Sequence, residues 1–196
     1  MKTFWGGLIL GLAVFPVVGI AYVLSGYAPA AVADRPVPLE RFLAGGALYA
    51  RIHREAPRKD LASFTDADLV AGANVYRRSC GCHGLPDNPA RAARPVTFPP
   101  APRLFTPDGY VTDDPVGVSY WKVKNGIRLS GMPSFKSVLS DEQMWQVAAL
   151  VAKADKLPQE ALDALKQPPV PAPATAPQSG TTPAAALPAS AAKPQK

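Results

Sequence analysis

The chain has 196 residues, enough for one modest domain with extensions. Its formal net charge of +6 is spread thinly: residues 62–157 hold 11 Lys+Arg against 9 Asp+Glu, so that stretch carries only +2. No basic stripe able to track a phosphate backbone is present, and this excludes nucleic acid as a partner.

Leu8 to Tyr27 is a run without charge, preceded by Lys2 and followed by Asp34 and Arg35. It is long enough to cross a bilayer core of ~30 Å and longer than the apolar part of a cleaved signal. Pro16 within it would kink a helix, which a membrane span tolerates. Ala31-Val32-Ala33 reads as a cleavage site, the competing interpretation. Residues 1–33 are therefore expected to be an uncleaved anchor or a signal sequence, and on either reading the rest of the chain leaves the cytoplasm. Residues 34–61 form a linker. In it Leu39, Phe42, Leu43, Leu48 and Ile52 have the spacing of an amphipathic helix that ends before Pro57. His53 in that stretch is expected to be a surface side chain.

Asp66 opens the next helix, with Thr65 as its cap and Asp66 and Asp68 at its positive end. Leu69, Gly72, Ala73 and Tyr76 share one face, and Gly72 leaves room for another helix to approach the backbone. The segment Ser79-Cys80-Gly81-Cys82-His83-Gly84 then holds both cysteines of the chain. It is one residue short of Cys-x-x-Cys-His, in which two thiols bond the haem vinyl groups and the histidine binds iron. Cys80 and Cys82 stand about 200° apart on a helix, so both cannot face one porphyrin without local unwinding. Cys82 and His83 keep the usual relation, while Ser79 holds the place four before the histidine. The rival readings are a strained disulfide, a zinc site assembled with distant His53, and two buried structural thiols.

Four prolines between Arg94 and Phe105 exclude helix there and argue for an extended loop. A helix is expected from about Asp114 to Ile127, with Pro115 near its start, Gly126 near its end, and Val116, Tyr120, Val123 and Ile127 facing inward. Met132 stands between Gly131 and Pro133, projects from an extended loop, and offers iron a soft thioether; the plain alternative is a methionine filling a gap in the core. The last domain helix, Ser140 to Lys156, has Ser140 and Gln143 as a capping box. Met144, Val147, Ala148 and Val151 form its apolar stripe, flanked by Trp145. From Pro158 onward lie nine of the chain's 23 prolines. Apart from a short helix at 159–167, residues 158–196 are expected to be a Pro/Ala-rich disordered tail.

From about Asp66 to Leu157 the chain resembles a class I (monohaem) cytochrome c domain, and more closely membrane-anchored bacterial cytochromes of that kind. The resemblance rests on Gly72-x-x-x-Tyr76, Cys82-His83-Gly84, the Phe-Pro-Pro loop, Tyr120-Trp121-Lys122-Val123-Lys124-Asn125-Gly126-Ile127-Arg128, Gly131-Met132-Pro133 and the helix with Trp145. It implies an all-α fold at 62–157 around one covalently attached haem c, bound through Cys80 and Cys82 with His83 and Met132 as iron ligands. It further implies that the terminal helix packs at Gly72, and that a carbonyl of the proline-rich loop accepts the histidine's other ring proton. The missing residue between the cysteines is a departure that bears on the thioether at Cys80.

On this basis the expected function is electron transfer, without catalysis of its own, by a single-pass inner-membrane protein facing the periplasm. Its partners would be redox proteins of a respiratory or periplasmic chain. The alternative is a cytochrome subunit of a membrane dehydrogenase or terminal oxidase. Arg94, Arg103, Lys122, Lys124, Arg128 and Lys136 are candidates for steering an acidic partner or pairing with haem propionates, the plain alternative being a solvated face.

Overall fold

Six α-helices, two 3-10 turns and no strand make up the described residues of the computed structural model, which are 2–31, 33–88 and 97–167. Helix α1 (Lys2–Leu24) contains Pro16 and no charge after its first residue. Its Phe4–Leu24 stretch has a mean hydropathy of 2.4 and is long and apolar enough to cross a membrane. Phe15, Val17, Ile20 and Leu24 are exposed, so this helix finds no apolar cover among the described residues. The candidate cleavage site includes Val32, which lies outside the described residues.

Helix α2 (Glu40–Glu55) forms where the apolar spacing predicts it. Of its expected apolar face only Ile52 is buried, while Phe42 and Leu43 are exposed. Its C-terminal end is tied to the domain by Trp121 Nε1, which donates to Glu55 Oε2 at 3.2 Å. His53 is exposed, and its ring lies tilted against that of Tyr49 one turn earlier, with centroids 3.9 Å apart.

Helix α3 (Asp66–Ser79) starts at a complete capping box. Asp68 N–H donates to Thr65 Oγ1 at 3.3 Å and Thr65 N–H donates back to Asp68 Oδ2 at 2.9 Å. That returned bond is the main reason the Asp68 carboxyl titrates below its usual range. A depressed carboxylate stabilises the fold above its unfolded value of ~3.9, and the contribution disappears as pH falls through the lower folded value. Thr65→Ala is expected to cost about 1 kcal/mol, lowering the thermal midpoint by roughly 4–8 °C at neutral pH. The difference between variant and parent should shrink in acid; a pH-independent difference, followed by circular dichroism, would show that the hydroxyl alone matters.

Leu69, Gly72, Ala73 and Tyr76 are all buried, as their shared face requires. They meet helix α5 (Asp141–Ala152), which is capped by Ser140 and Gln143 in a second reciprocal box. A Cβ on Gly72 would lie 2.3 Å from the Gln146 carbonyl oxygen, so the two backbones cross in contact at the position the resemblance implied. Helix α4 (Val116–Asn125) also packs on α5, burying Val116, Tyr120 and Val123, and begins two residues later than expected because Pro115 serves as its N-cap. From Val147 to Ala152 every residue of α5 is buried, not only the stripe, because α3 and α4 both lie against it.

One expectation needs correction. Helix α6 (Gln159–Lys166) is not the start of a free tail, because Ala161, Ala164 and Leu165 are buried and it packs on α3. Arg77 Nη1 donates to the Ala164 carbonyl at 2.6 Å, so a buried guanidinium meets the last turn of α6. The expected boundary at 157–158 thus falls before a packed helix, whose eight residues between two prolines offer only Ala161, Leu162, Ala164 and Leu165 as apolar side chains. The remaining tail, 168–196, lies outside the described residues. Val170 and Leu187 are its only large apolar side chains, too few to dock on a core. Its deletion is expected to leave the thermal midpoint within about 2 °C, the effect of a fraction of a kcal/mol. A larger fall in a melting curve would mean that it packs on the domain.

Candidate haem site

Helix α3 ends just before the cysteine segment. Cys80 is its C-cap, with its N–H donating to the Tyr76 carbonyl at 2.7 Å, and Gly81–His83 continues as a 3-10 turn closed by His83 N–H on the Cys80 carbonyl at 3.1 Å. The chain therefore leaves the α-helix at the missing residue and turns more tightly. Cys80 points into the core and is buried, and this desolvation pushes its thiol up to about 12. Cys82, two residues on, is exposed.

Tyr76 brackets this turn at both ends. Its carbonyl receives the Cys80 N–H, and its fully buried hydroxyl donates to the Gly84 carbonyl at 3.1 Å. Burial raises the Tyr76 hydroxyl well above the ordinary phenol range, so it remains a donor. The ring is held edge-on by Phe105, with centroids 5.1 Å apart. The sequence places Tyr76 on the apolar face of α3 and in the Gly72-x-x-x-Tyr76 motif; its clamp on Gly84 needs the turn to fold back, which helical periodicity does not describe.

His83 is half-buried, and its Nδ1 lies 3.0 Å from the Pro102 carbonyl. A carbonyl can only accept, so Nδ1 carries the proton and the lone pair is on Nε2. Burial lowers the histidine's pKa, with the Pro102 carbonyl opposing that shift, so the ring is neutral near pH 7. Neutral imidazole with a free Nε2 is the form that binds a transition metal. Pro102 has no N–H and its neighbours cannot form helix, which leaves its carbonyl available to a side chain. Residues 97–105 are irregular, as the prolines require, and Leu104 is buried. Arg94 lies outside the described residues.

Met132 is partly buried against the core cluster, on a loop fastened to the end of α4. Ile127 N–H donates to the Met132 carbonyl at 3.1 Å, Phe135 N–H to the Val123 carbonyl at 3.1 Å, and Ser134 Oγ to the Lys124 carbonyl at 2.6 Å. Gly126 makes this possible. Its φ of +69° suits glycine, and a Cβ there would stand 2.7 Å from Pro133 C and Ser134 N. The sequence identified Gly126 as a helix end; its second use, giving the methionine loop access to the α4 terminus, appears only in three dimensions.

Among the described residues no three His, Cys, Asp or Glu side chains gather into a possible metal cluster, so a closed zinc centre has no ligand set here. The free cysteines form no disulfide. Imidazole poised at Nε2, a thioether on a pinned loop and a thiol beside the histidine are the donor types that haem c uses. Of the cations expected to steer a partner, Arg103 pairs with Asp108, Lys122 with Asp114, and Lys124 with Asp141 and Tyr120. No carboxylate among the described residues pairs with Arg128 or Lys136, which flank the methionine loop.

Residues 67–151 match the family described as cytochrome C oxidase, cbb3-type, subunit III. This segment is a cytochrome c domain of the cbb3 type. No solved structure matches the chain. The cytochrome c domain carries haem c with iron, covalently bound, and its chemistry is electron transfer. The matched region runs from the second residue of α3 to within a residue of the end of α5, so the histidine segment, the Pro102 loop and the methionine loop all lie inside it. Helices α1, α2 and α6 lie outside it.

Proposed function

We propose that this chain is a membrane-tethered electron carrier, with α1 spanning the inner membrane and the cytochrome c domain facing the periplasm. His83 and Met132 would hold the haem iron. The observation that carries the assignment is the 3.0 Å bond from His83 Nδ1 to the Pro102 carbonyl, which orients the ring and leaves Nε2 as the only nitrogen able to bind iron. Haem c, when bound, supplies reversible one-electron chemistry. The chain's own residues hold its ligands in place: Pro102 aims the imidazole, the α4 terminus pins the thioether loop, and Tyr76 fixes the turn that follows α3.

Arg128 and Lys136 next to the methionine loop, with exposed Leu129 and Val138, supply a small docking face of mixed charge and apolar character. It suits brief contact with an acidic redox protein of a respiratory chain. Expression with the c-type maturation machinery is expected to give a membrane-fraction protein with a low-spin haem that titrates as a one-electron couple. Protease added to spheroplasts should remove the haem domain. A domain protected from external protease, or a protein without haem, would overturn the reading.

A second reading has specific support. The matched family is named for an oxidase subunit, and α2 exposes Phe42, Leu43 and Tyr49 close to the domain. On this reading the chain is the cytochrome subunit of a terminal oxidase or membrane dehydrogenase. Stoichiometric co-purification with an oxidase or dehydrogenase core after mild solubilisation would favour it over a free carrier.

A further inference from the structure

We propose that this protein carries its haem on a single thioether, at Cys82, and keeps Cys80 as a buried free thiol. The inference rests on the haem c assignment and concerns how the shortened motif executes it. Cys80 closes α3 and its side chain belongs to the core cluster, whereas Cys82 is the middle residue of the 3-10 turn and is exposed. A 3-10 turn advances about 120° per residue, so side chains two apart leave it about 240° apart, on different sides. Cys82 adjoins His83, whose ring is fixed by Pro102, and so Cys82 lies beside the ligand that positions the porphyrin.

Turning Cys80 toward the same side requires the segment to rewind, and Tyr76 opposes this from both ends. Rewinding breaks the bond from Cys80 N–H to the Tyr76 carbonyl, and it strains the bond from the Tyr76 hydroxyl to Gly84, which has no water to replace it in the core. Attachment adds the Cys82 S–H across one vinyl group. Sulfur bonds the vinyl carbon next to the ring, hydrogen goes to the terminal carbon, and the double bond becomes single. No atom leaves and nothing is oxidised or reduced overall. The second vinyl group stays unsaturated.

Attachment through one or two thioethers gives the same intact mass, so mass alone does not separate them. Alkylation of the denatured holoprotein does: one thiol per chain is expected to react, and digestion should place it at Cys80. The pyridine haemochrome band should lie to the red of the two-thioether form. Cys80→Ser should retain covalent haem within about twofold of the parent and leave no alkylatable thiol, whereas Cys82→Ser should lose covalent haem by about tenfold or more, since the remaining thiol is buried. An alanine inserted after Gly81 should consume both thiols and move the band to the two-thioether position.

A parent protein with no alkylatable thiol and a two-thioether band overturns the proposal while leaving the haem assignment intact. Equal loss of haem from either serine variant also overturns it. If neither the parent nor the insertion variant binds haem although the polypeptide accumulates, the haem assignment itself fails.

Discussion

Met132→His is expected to retain a low-spin haem and to lower its reduction potential by on the order of 100 mV or more, within the ~0.8 V that axial ligands span. A thioether is a soft ligand that favours the ferrous state, whereas imidazole donates more strongly and favours the ferric state. The loop's fixed backbone makes this informative: Ile127, Ser134 and Phe135 anchor it through main-chain partners, so the substitution changes the donor atom more than the loop. The far-red charge-transfer band between methionine sulfur and ferric iron should disappear with it. Met132→Ala, which supplies no donor, should bind carbon monoxide readily when reduced. A parent protein without that band, and a histidine variant with unchanged potential, would remove Met132 from the iron.

Gly72→Ala should lower the thermal midpoint by about 10 °C or more. On an exposed helix the same change would stabilise by about 1 kcal/mol, because alanine has the better helix propensity. Here the added methyl group would sit 2.3 Å from the Gln146 carbonyl oxygen and 2.7 Å from its carbon, and neither atom can move without shifting α5. Overpacking costs about 1–3 kcal/mol, and with two backbone atoms in the way this site falls at the upper end. About 3 kcal/mol less the ~1 kcal/mol of propensity leaves about 2 kcal/mol, and at roughly 4–8 °C per kcal/mol the midpoint falls by about 8–16 °C. The clash therefore wins over propensity. Gly72→Val should be worse and reduce haem retention, since α3 also carries Tyr76 and Cys80. An unchanged or raised midpoint for the alanine variant, measured by circular dichroism, would show that α5 can slide away at little cost.

The two substitutions probe features that differ in how they are written in the chain. Local chemistry was readable directly. Thr65 with Asp68 and Ser140 with Gln143 mark helix starts because the reciprocal bonds join residues three apart, and both boxes are present. Gly131-Met132-Pro133 and the prolines near Phe98 exclude helix for reasons internal to a few residues, and both stretches are irregular. The apolar run of α1 announces a possible membrane span by length and composition alone. Helix α2 is half legible: its spacing predicts the helix, yet not that Phe42 and Leu43 remain uncovered while Ile52 is buried.

Pairings between residues far apart in the chain emerge only in the folded molecule. Which carbonyl receives the His83 proton depends on how a 19-residue excursion returns, and the chain offers several carbonyls in a row with nothing local to choose Pro102. The placement of α6 on α3 depends on Arg77 reaching a carbonyl 87 residues away, a bond that no periodicity encodes. Tyr120 stacking on Trp145, with Lys59 over Trp145 and Phe64, likewise brings together three segments whose sequences are silent about one another. The cysteine segment lies between these cases. Its missing residue is visible in the sequence, but the side on which each thiol emerges is set by the tight turn that Tyr76 holds closed. Short-range bonding and proline stereochemistry act within a few residues and so can be read from them; burial and long-range acceptors are properties of the assembled surfaces, and they exist only after the helices have met.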